Sequence, residues 1–455
     1  MLKPGVPHIK MEIADRQVGE QHKTGGGTNM NNTQNQKIAQ VTDKTLIVGV
    51  DIGSENHYAR AILARGFEVS KKPFPFTNTE EGFESFVNWT HNLATAHKLT
   101  KIMVAMEPTG HYWFAFVAFL KKYDVQVVLV APQHVKHSKE MDDNTQEKDD
   151  RKDPIVIARL VPEGRYLIPY IPEDVFAELR VAFNRRCELV EEQVRIANRM
   201  IRWFDIYFPE YRKIYGRIDA KTGIMILKRA PLPADILDIG VDGICQIWKD
   251  AKLRGYGSKK AKQIYSAAEH SVGMKGGASV RWKLWQLLEE YELIERQLHD
   301  ILQLIEDLLH QIPGADKLLN IPGAGLVTVA GFLSEVGDIK RFSDPKQIQK
   351  LAGLAVVENS SGKRKGLPGI SKRGRSRLRW VLFQLARSMV MFNPEMKAYH
   401  QYYTTRKENP LKKLQSLVAI SARIARIFYG ILKNGTEYDP EIVMKDGSSI
   451  ESVGD

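Results

Sequence analysis

Residues 45–51 read Thr45-Leu-Ile-Val-Gly-Val-Asp51, a short apolar run that ends in an acid and is followed by the turn-former Gly53. Such a run reads as a strand buried on both faces. Moving outward, residues 58–63 form a second apolar stretch, and residues 67–76, broken by Pro73 and Pro75, a third. Their hairpin spacing predicts an antiparallel meander. Residues 79–97 then carry Phe83, Phe86, Val87 and Leu93 near helical spacing. A strand over 101–106, a helix over 111–122, a strand over 125–130 and a helix beyond complete the order β-β-β-α-β-α-β-α.

That order is the layout of an RNase H-like fold, a mixed sheet flanked by helices. Acidic residues fall at its strand ends. Asp51 closes the first strand, Glu107 lies just past the fourth, and Asp150 and Asp153 flank the start of the helix after the fifth. Side-by-side first and fourth strands would converge these carboxylates. A cluster of this kind suits hard Mg²⁺ or Mn²⁺ and hence phosphodiester chemistry. Taken singly, each acid reads more readily as a turn or cap residue than as a ligand, and Asp153-Pro154 is a good helix start; the signal lies in all four in order.

The chain has 455 residues and a formal charge of +12, with 66 Lys and Arg against 54 Asp and Glu. A pI near 9.3 argues for a polyanionic partner, nucleic acid first. Its apolar runs, such as 46–50 and 125–131, are far shorter than the roughly 20 residues that cross a bilayer, so no membrane partner is expected. Only Cys187 and Cys245 occur, in no metal-binding spacing, which fits a reducing cytoplasm. Residues 1–42 lack a secretory apolar region and read as a disordered tail.

Residues 166–312 read as helical. Arg180, Arg185, Arg186, Arg195, Arg199 and Arg202 lie on one long predicted helix, either tracking a phosphate backbone or forming a solvated face. Further on, Leu284, Leu287, Tyr291, Ile294, Leu298, Ile301, Ile305, Leu308 and Ile312 alternate spacings of three and four. This is a coiled-coil seam, able to pair within the chain or between chains. Self-association is the favoured reading, as a dimer or tetramer.

Residues 313–435 are expected to be mainly helical, with a flexible tail over 436–455. Ile321-Pro-Gly-Ala-Gly325 has the form of a hairpin between helices. Between Lys363 and Arg379 there are eight cations and no acid: Lys363, Arg364, Lys365, Lys372, Arg373, Arg375, Arg377 and Arg379. Glycines interleaved with these cations let the backbone approach a phosphate closely. Ser360 and Ser361 precede them and are candidate nucleophiles, although serines before glycine also make ordinary turns.

Together these motifs carry a family resemblance. They are Val50-Asp51-Ile-Gly53, Met106-Glu107-Pro-Thr-Gly-His-Tyr-Trp113, Asp150-Arg-Lys-Asp153, Ala197-Asn198-Arg199, Phe208-Pro-Glu210, the Ile321 hairpin, Gly337-Asp338-Ile-Lys-Arg-Phe342, Ser360-Ser-Gly362 and Ile370-Ser-Lys-Arg-Gly374. The chain resembles the DEDD-type transposases of bacterial insertion sequences, relatives of the Piv invertase. The resemblance implies a RuvC-like nuclease domain over 43–165, a helical and coiled-coil region over 166–312 and a serine-bearing transposase domain over 313–435.

By the same resemblance, Asp51, Glu107, Asp150 and Asp153 form a metal tetrad, and Ser361 is a nucleophile that holds a covalent phosphoserine intermediate. Donor and target DNA, a structured guide (bridge) noncoding RNA and a bacterial, nucleoid-associated setting are implied as well. Three positions depart from the family pattern: Asp149 for the usual Thr, Pro154 for Ala, and Lys363 for Gly. Two other readings stand beside this one. They are a RuvC-like junction endonuclease that uses water, and a non-catalytic nucleic-acid-binding protein.

Overall fold

Six of the seven residues of β1 (Thr45–Asp51) are buried, as its apolar sequence requires, and the strand runs through the middle of a five-stranded sheet. The computed structural model describes residues 29–142, 153–253, 257–357, 360–361, 364–365 and 369–445. A polar helix, α1 (Asn29–Ala39), precedes β1. After it come β2 (Asn56–Leu63), β3 (Phe74–Thr77), α2 (Glu80–Ala96), β4 (Lys101–Met106), α3 (Trp113–Leu120), β5 (Gln126–Leu129), α4 (Pro132–Asp142) and α5 (Asp153–Arg159).

The sheet order is β3-β2-β1-β4-β5. The first three strands are antiparallel, while β4 and β5 run parallel to β1. This mixed sheet with helices on both faces is the arrangement expected of an RNase H-like domain. One face, with Leu46, Val48 and Val50, packs on the aromatic residues of α2 and α3. The other, with Ile47, Met103 and Ala105, packs on Ile155, Val156 and Ala158 of α5.

The chain divides into two compact units, one spanning 174–316, the other holding the sheet domain together with 317–445. In the first, α6 (Asp174–Tyr207) is followed by α7 (Pro209–Tyr215), α8 (Lys221–Arg229), α9 (Pro233–Asp250), α10 (Ser258–Glu269) and α11 (Ala278–His310). Antiparallel to α6, α11 places Trp203 Nε1 3.0 Å from the carbonyl of Val280 and Gln193 Nε2 3.5 Å from Tyr291 Oη. Seam residues Leu284, Leu287, Tyr291 and Ile294 share a core with Leu189, Ile196, Met200 and Trp203. The seam expected to join two chains is therefore satisfied within one along this stretch.

The remaining elements are α12 (Ala315–Leu319), α13 (Leu326–Val336), α14 (Pro345–Leu351), the short strands β6 (Val356–Val357), β7 (Ser360–Ser361), β8 (Arg364–Lys365) and β9 (Gly369–Ile370), then α15 (Ser376–Phe392), α16 (Pro394–Thr405), α17 (Lys413–Asn434) and α18 (Pro440–Lys445). By length and composition α17 could cross a bilayer. Its apolar residues Ile420, Ile424, Phe428 and Ile431 are instead buried in the protein.

Of the two segments read as tails, residues 1–28 and 446–455 lie outside the described residues, while α1 and α18 occupy parts of the remainder. Residues 29–42 are folded: Lys37 Nζ donates to the carbonyl of Tyr166 at 2.7 Å, and Tyr166 Oη donates to the carbonyl of Lys37 at 2.9 Å. Beyond Gly435, α18 is docked through Val443, whose carbonyl accepts from Tyr399 Oη at 2.7 Å and from Arg423 at 3.2 Å. Neither segment has an apolar pattern that would announce a helix, and each is held by polar bonds to distant residues.

Candidate active site

Strand alternation decides where the acids point. Along β1 the even residues Leu46, Val48 and Val50 face α2 and α3, so the odd positions, ending in Asp51, face α5. The same parity along β4 sends Met103 and Ala105 toward α5, and Glu107 follows one residue past the strand end. Since Val50 pairs with Met106 in parallel register, Asp51 and Glu107 leave adjacent strands at one level and on one face.

A close approach brings another of the four acids, Asp153, to this face. A Cβ at Gly49 would lie 1.8 Å from the carbonyl oxygen of Pro154 and 2.7 Å from the amide of Ala158, so only glycine lets α5 sit this near the strand. Asp153, the first residue of α5, is thereby carried to the β1 side of the sheet. Its carboxylate is paired with Lys139 of α4. Asp150 lies outside the described residues. Among the described residues, no group of three or more potential ligands is close enough to hold a metal ion.

The donor chemistry nevertheless fits a hard divalent cation. Asp51 and Glu107 offer carboxylate oxygens from rigid strand ends, and Mg²⁺ is commonly held by one or two carboxylates plus substrate phosphate. Asp153 would join such a site by leaving Lys139.

The basic segment divides into two kinds of residue. Ser360 pairs with Lys365, and Ser361 with Arg364, in the β7–β8 ladder. Lys363 lies outside the described residues. Lys372 and Arg373 are exposed, and Arg377 is half-buried. Arg375 is buried, paired with the Glu335 carboxylate at 3.4 Å and bonded to the Glu335 backbone carbonyl. Burial lowers its pKa, and Glu335 opposes that shift. Arg379 donates to the carbonyls of Ala352 at 2.9 Å and Lys372 at 3.2 Å. These two arginines brace the segment from within, although their sequence context matches that of the exposed cations. On α6, Arg185, Arg195 and Arg199 pair with Glu188, Glu191 and Glu290, which favours the ion-paired face over a phosphate track.

Sequence reading missed the partners that position these groups. Tyr170 Oη accepts the amide proton of Asp338 at 3.1 Å, and the Arg341 guanidinium sits 3.9 Å from its ring centroid. The Gly337–Phe342 motif is thus the socket that receives the chain leaving the sheet domain. Lys139, Glu335 and His57 were missed too. Of these, His57 left a sequence signal, a polar residue in line with the apolar Ala59 and Ala61 at alternate positions of β2.

Known proteins resemble both halves of the site. The family model of DEDD transposases of IS110, described as Transposase, matches residues 48–209, and the model described as Transposase IS116/IS110/IS902 family matches residues 315–401. The insertion element IS116 uncharacterized 44.8 kDa protein of Streptomyces clavuligerus is 24% identical over 86% of this chain and 96% of its own length. The IS110 uncharacterized 43.6 kDa protein of Streptomyces coelicolor is 21% identical over 87% of this chain and 96% of its own. The pilin gene-inverting protein of Moraxella bovis is 25% identical over 33% of this chain and 45% of its own.

Proposed function

We propose that this chain, a homologue of the IS110/IS902 DEDD-type transposases, is a DNA recombinase that cuts and rejoins the strands of an insertion sequence. The observation that carries the reading is the placement of Asp51 and Glu107 at the ends of adjacent parallel strands, on the face where α5 begins with Asp153. Asp51, Glu107, Asp150 and Asp153 would hold Mg²⁺ or Mn²⁺. When bound, the ion supplies charge neutralisation at the scissile phosphodiester.

Ser361 is the proposed nucleophile. Its Oγ attacks phosphorus, so an Oγ–P bond forms as the P–O bond to the leaving strand breaks; the serine proton is lost and the departing oxygen takes one up. Attack by a hydroxyl of a second strand end on the phosphoserine reverses the step and rejoins DNA. Arg364, the backbone register partner of Ser361, is the proposed source of cationic stabilisation of the transition state. Lys363, Lys365, Lys372, Arg373 and Arg377 are the proposed backbone contacts, while Arg375 and Arg379 act as internal braces. Donor and target DNA are the substrates, and a structured noncoding RNA is the proposed guide. A dimer or tetramer would bring several active sites together. The outward face of α11, with exposed Trp282, Trp285, Leu293 and Leu304, offers apolar surface for it.

The test is a trapping assay with Mg²⁺, RNA from the flanking region and end-labelled element-junction DNA. An SDS-stable protein–DNA adduct is expected, lost in Ser361→Ala and in Asp51→Asn. Loss in Ser360→Ala alone would move the nucleophile by one residue. Cleavage without an adduct would replace serine attack by attack of water.

A further inference from the structure

The turn from β1 to β2 has Asp51 at one end and His57 at the other. By alternation the two side chains lie on opposite faces of the sheet: His57 is fully buried among Phe76, Phe83 and Phe116, with ring centroids 4.9, 6.0 and 6.0 Å away. Its Nδ1 accepts the amide proton of Gly53 at 3.2 Å, while Nε2 has no hydrogen-bond partner. An imidazole that accepts at Nδ1 carries its proton on Nε2, so a donor is left unsatisfied in an aromatic core. That arrangement costs stability which an apolar residue of similar volume would not lose. The turn it secures is tight: a Cβ at Gly53 would meet the carbonyl of Asn56 at 2.4 Å.

We infer that His57 is a positioning residue, which by accepting the Gly53 amide locks the turn that aims the Asp51 carboxylate at the face shared with Glu107. The inference rests on the metal reading of that face. Groups behind a ligand commonly set its orientation without touching the ion, and a locally unfavourable side chain retained beside a site is the expected signature of such a role.

Two substitutions separate this role from a merely structural one. His57→Leu keeps the volume and removes the acceptor, whereas His57→Asn keeps an acceptor near the Nδ1 position and removes volume. In the metal-free protein His57→Leu is expected to leave Tm equal or higher while amide exchange across residues 51–57 quickens about tenfold. Its Mn²⁺ affinity, read by EPR titration, is expected to fall ~10-fold. His57→Asn should lower Tm yet retain slow exchange and near-original Mn²⁺ affinity. The inference is overturned if His57→Leu exchanges and binds Mn²⁺ like the unsubstituted protein, or if both variants lose Mn²⁺ in step with Tm. Should the unsubstituted protein bind no Mn²⁺ while the exchange contrast holds, the metal reading fails and the turn lock stands.

Discussion

The acidic end of the sheet and the serine ladder are built by opposite means. Asp51 ends a seven-residue strand whose register is set by buried neighbours on both sides, whereas among the described residues Ser361 lies in a two-residue strand paired to another of the same length. A one-residue slip in β1 would turn Asp51 to the aromatic face and bury a charge, so its direction is strongly specified. A two-residue ladder has no comparable penalty, and short isolated hairpins are marginal in water. One half of the candidate site is thus preformed by the core. The other is held from its base, where Arg375 and Arg379 tie the chain into the helices.

This contrast can be broken at either end. The largest effect is expected at the base of the basic segment: Arg375→Met removes the buried guanidinium's ion pair with the Glu335 carboxylate and its bond to the Glu335 backbone carbonyl, and should cost about 3 kcal/mol, seen as a lower midpoint in chemical denaturation. If Arg373→Met costs as much, the division between bracing and exposed cations is wrong. On the sheet side, Gly49→Val drives a side chain into the backbone of Pro154 and Ala158. A loss of about 2 kcal/mol is expected, together with loss of DNA cleavage as α5 and Asp153 move away. Retained cleavage would show that Asp153 does not act from α5.

A smaller effect is expected from pH. Burial lowers the pKa of His57 below its ordinary 6.5, and the Asn78 side chain opposes that shift. The unfolded chain then binds the proton more readily than the folded one, so stability is full above about pH 6.5 and declines as pH falls from there toward the depressed folded pKa. Denaturation midpoints from pH 7 to 5 should show this slope, reduced in His57→Leu. The smallest effect concerns Lys139: with its partner removed, Lys139→Gln should raise Mn²⁺ affinity roughly threefold, about 0.7 kcal/mol, in the same EPR titration. An unchanged affinity would mean that Asp153 takes no part in metal binding.

Much of the sheet domain was legible because its signals are local. The bounds of β1 and β4 match those read from apolar runs, whereas the face each carboxylate takes is not written in those continuous runs and follows from which helices cover each side of the sheet. The failures share one cause. The seam from Leu284 to Ile294 was readable, but its partner was not, because heptad spacing says that a face must be covered and not by which helix. The helix at 29–39 has almost no apolar face and is docked by Lys37 and Gln40 onto Tyr166, more than a hundred residues away. In the basic segment, nothing in the order of residues separates Arg375 from Arg373.

Sequence alone determined the order of strands and helices along the sheet domain, the position of two carboxylates at strand ends, and the concentration of cations after Ser361. Those properties follow from periodicity and charge, which act over a few residues. Tertiary structure alone decided that α5 presses on Gly49, that Lys139 meets Asp153, that Glu335 takes Arg375 out of solvent and that Gly53 is held by His57. Each is a pairing between chain segments that only packing brings together, and the free energy of a buried charge or amide depends on the partner it finds there.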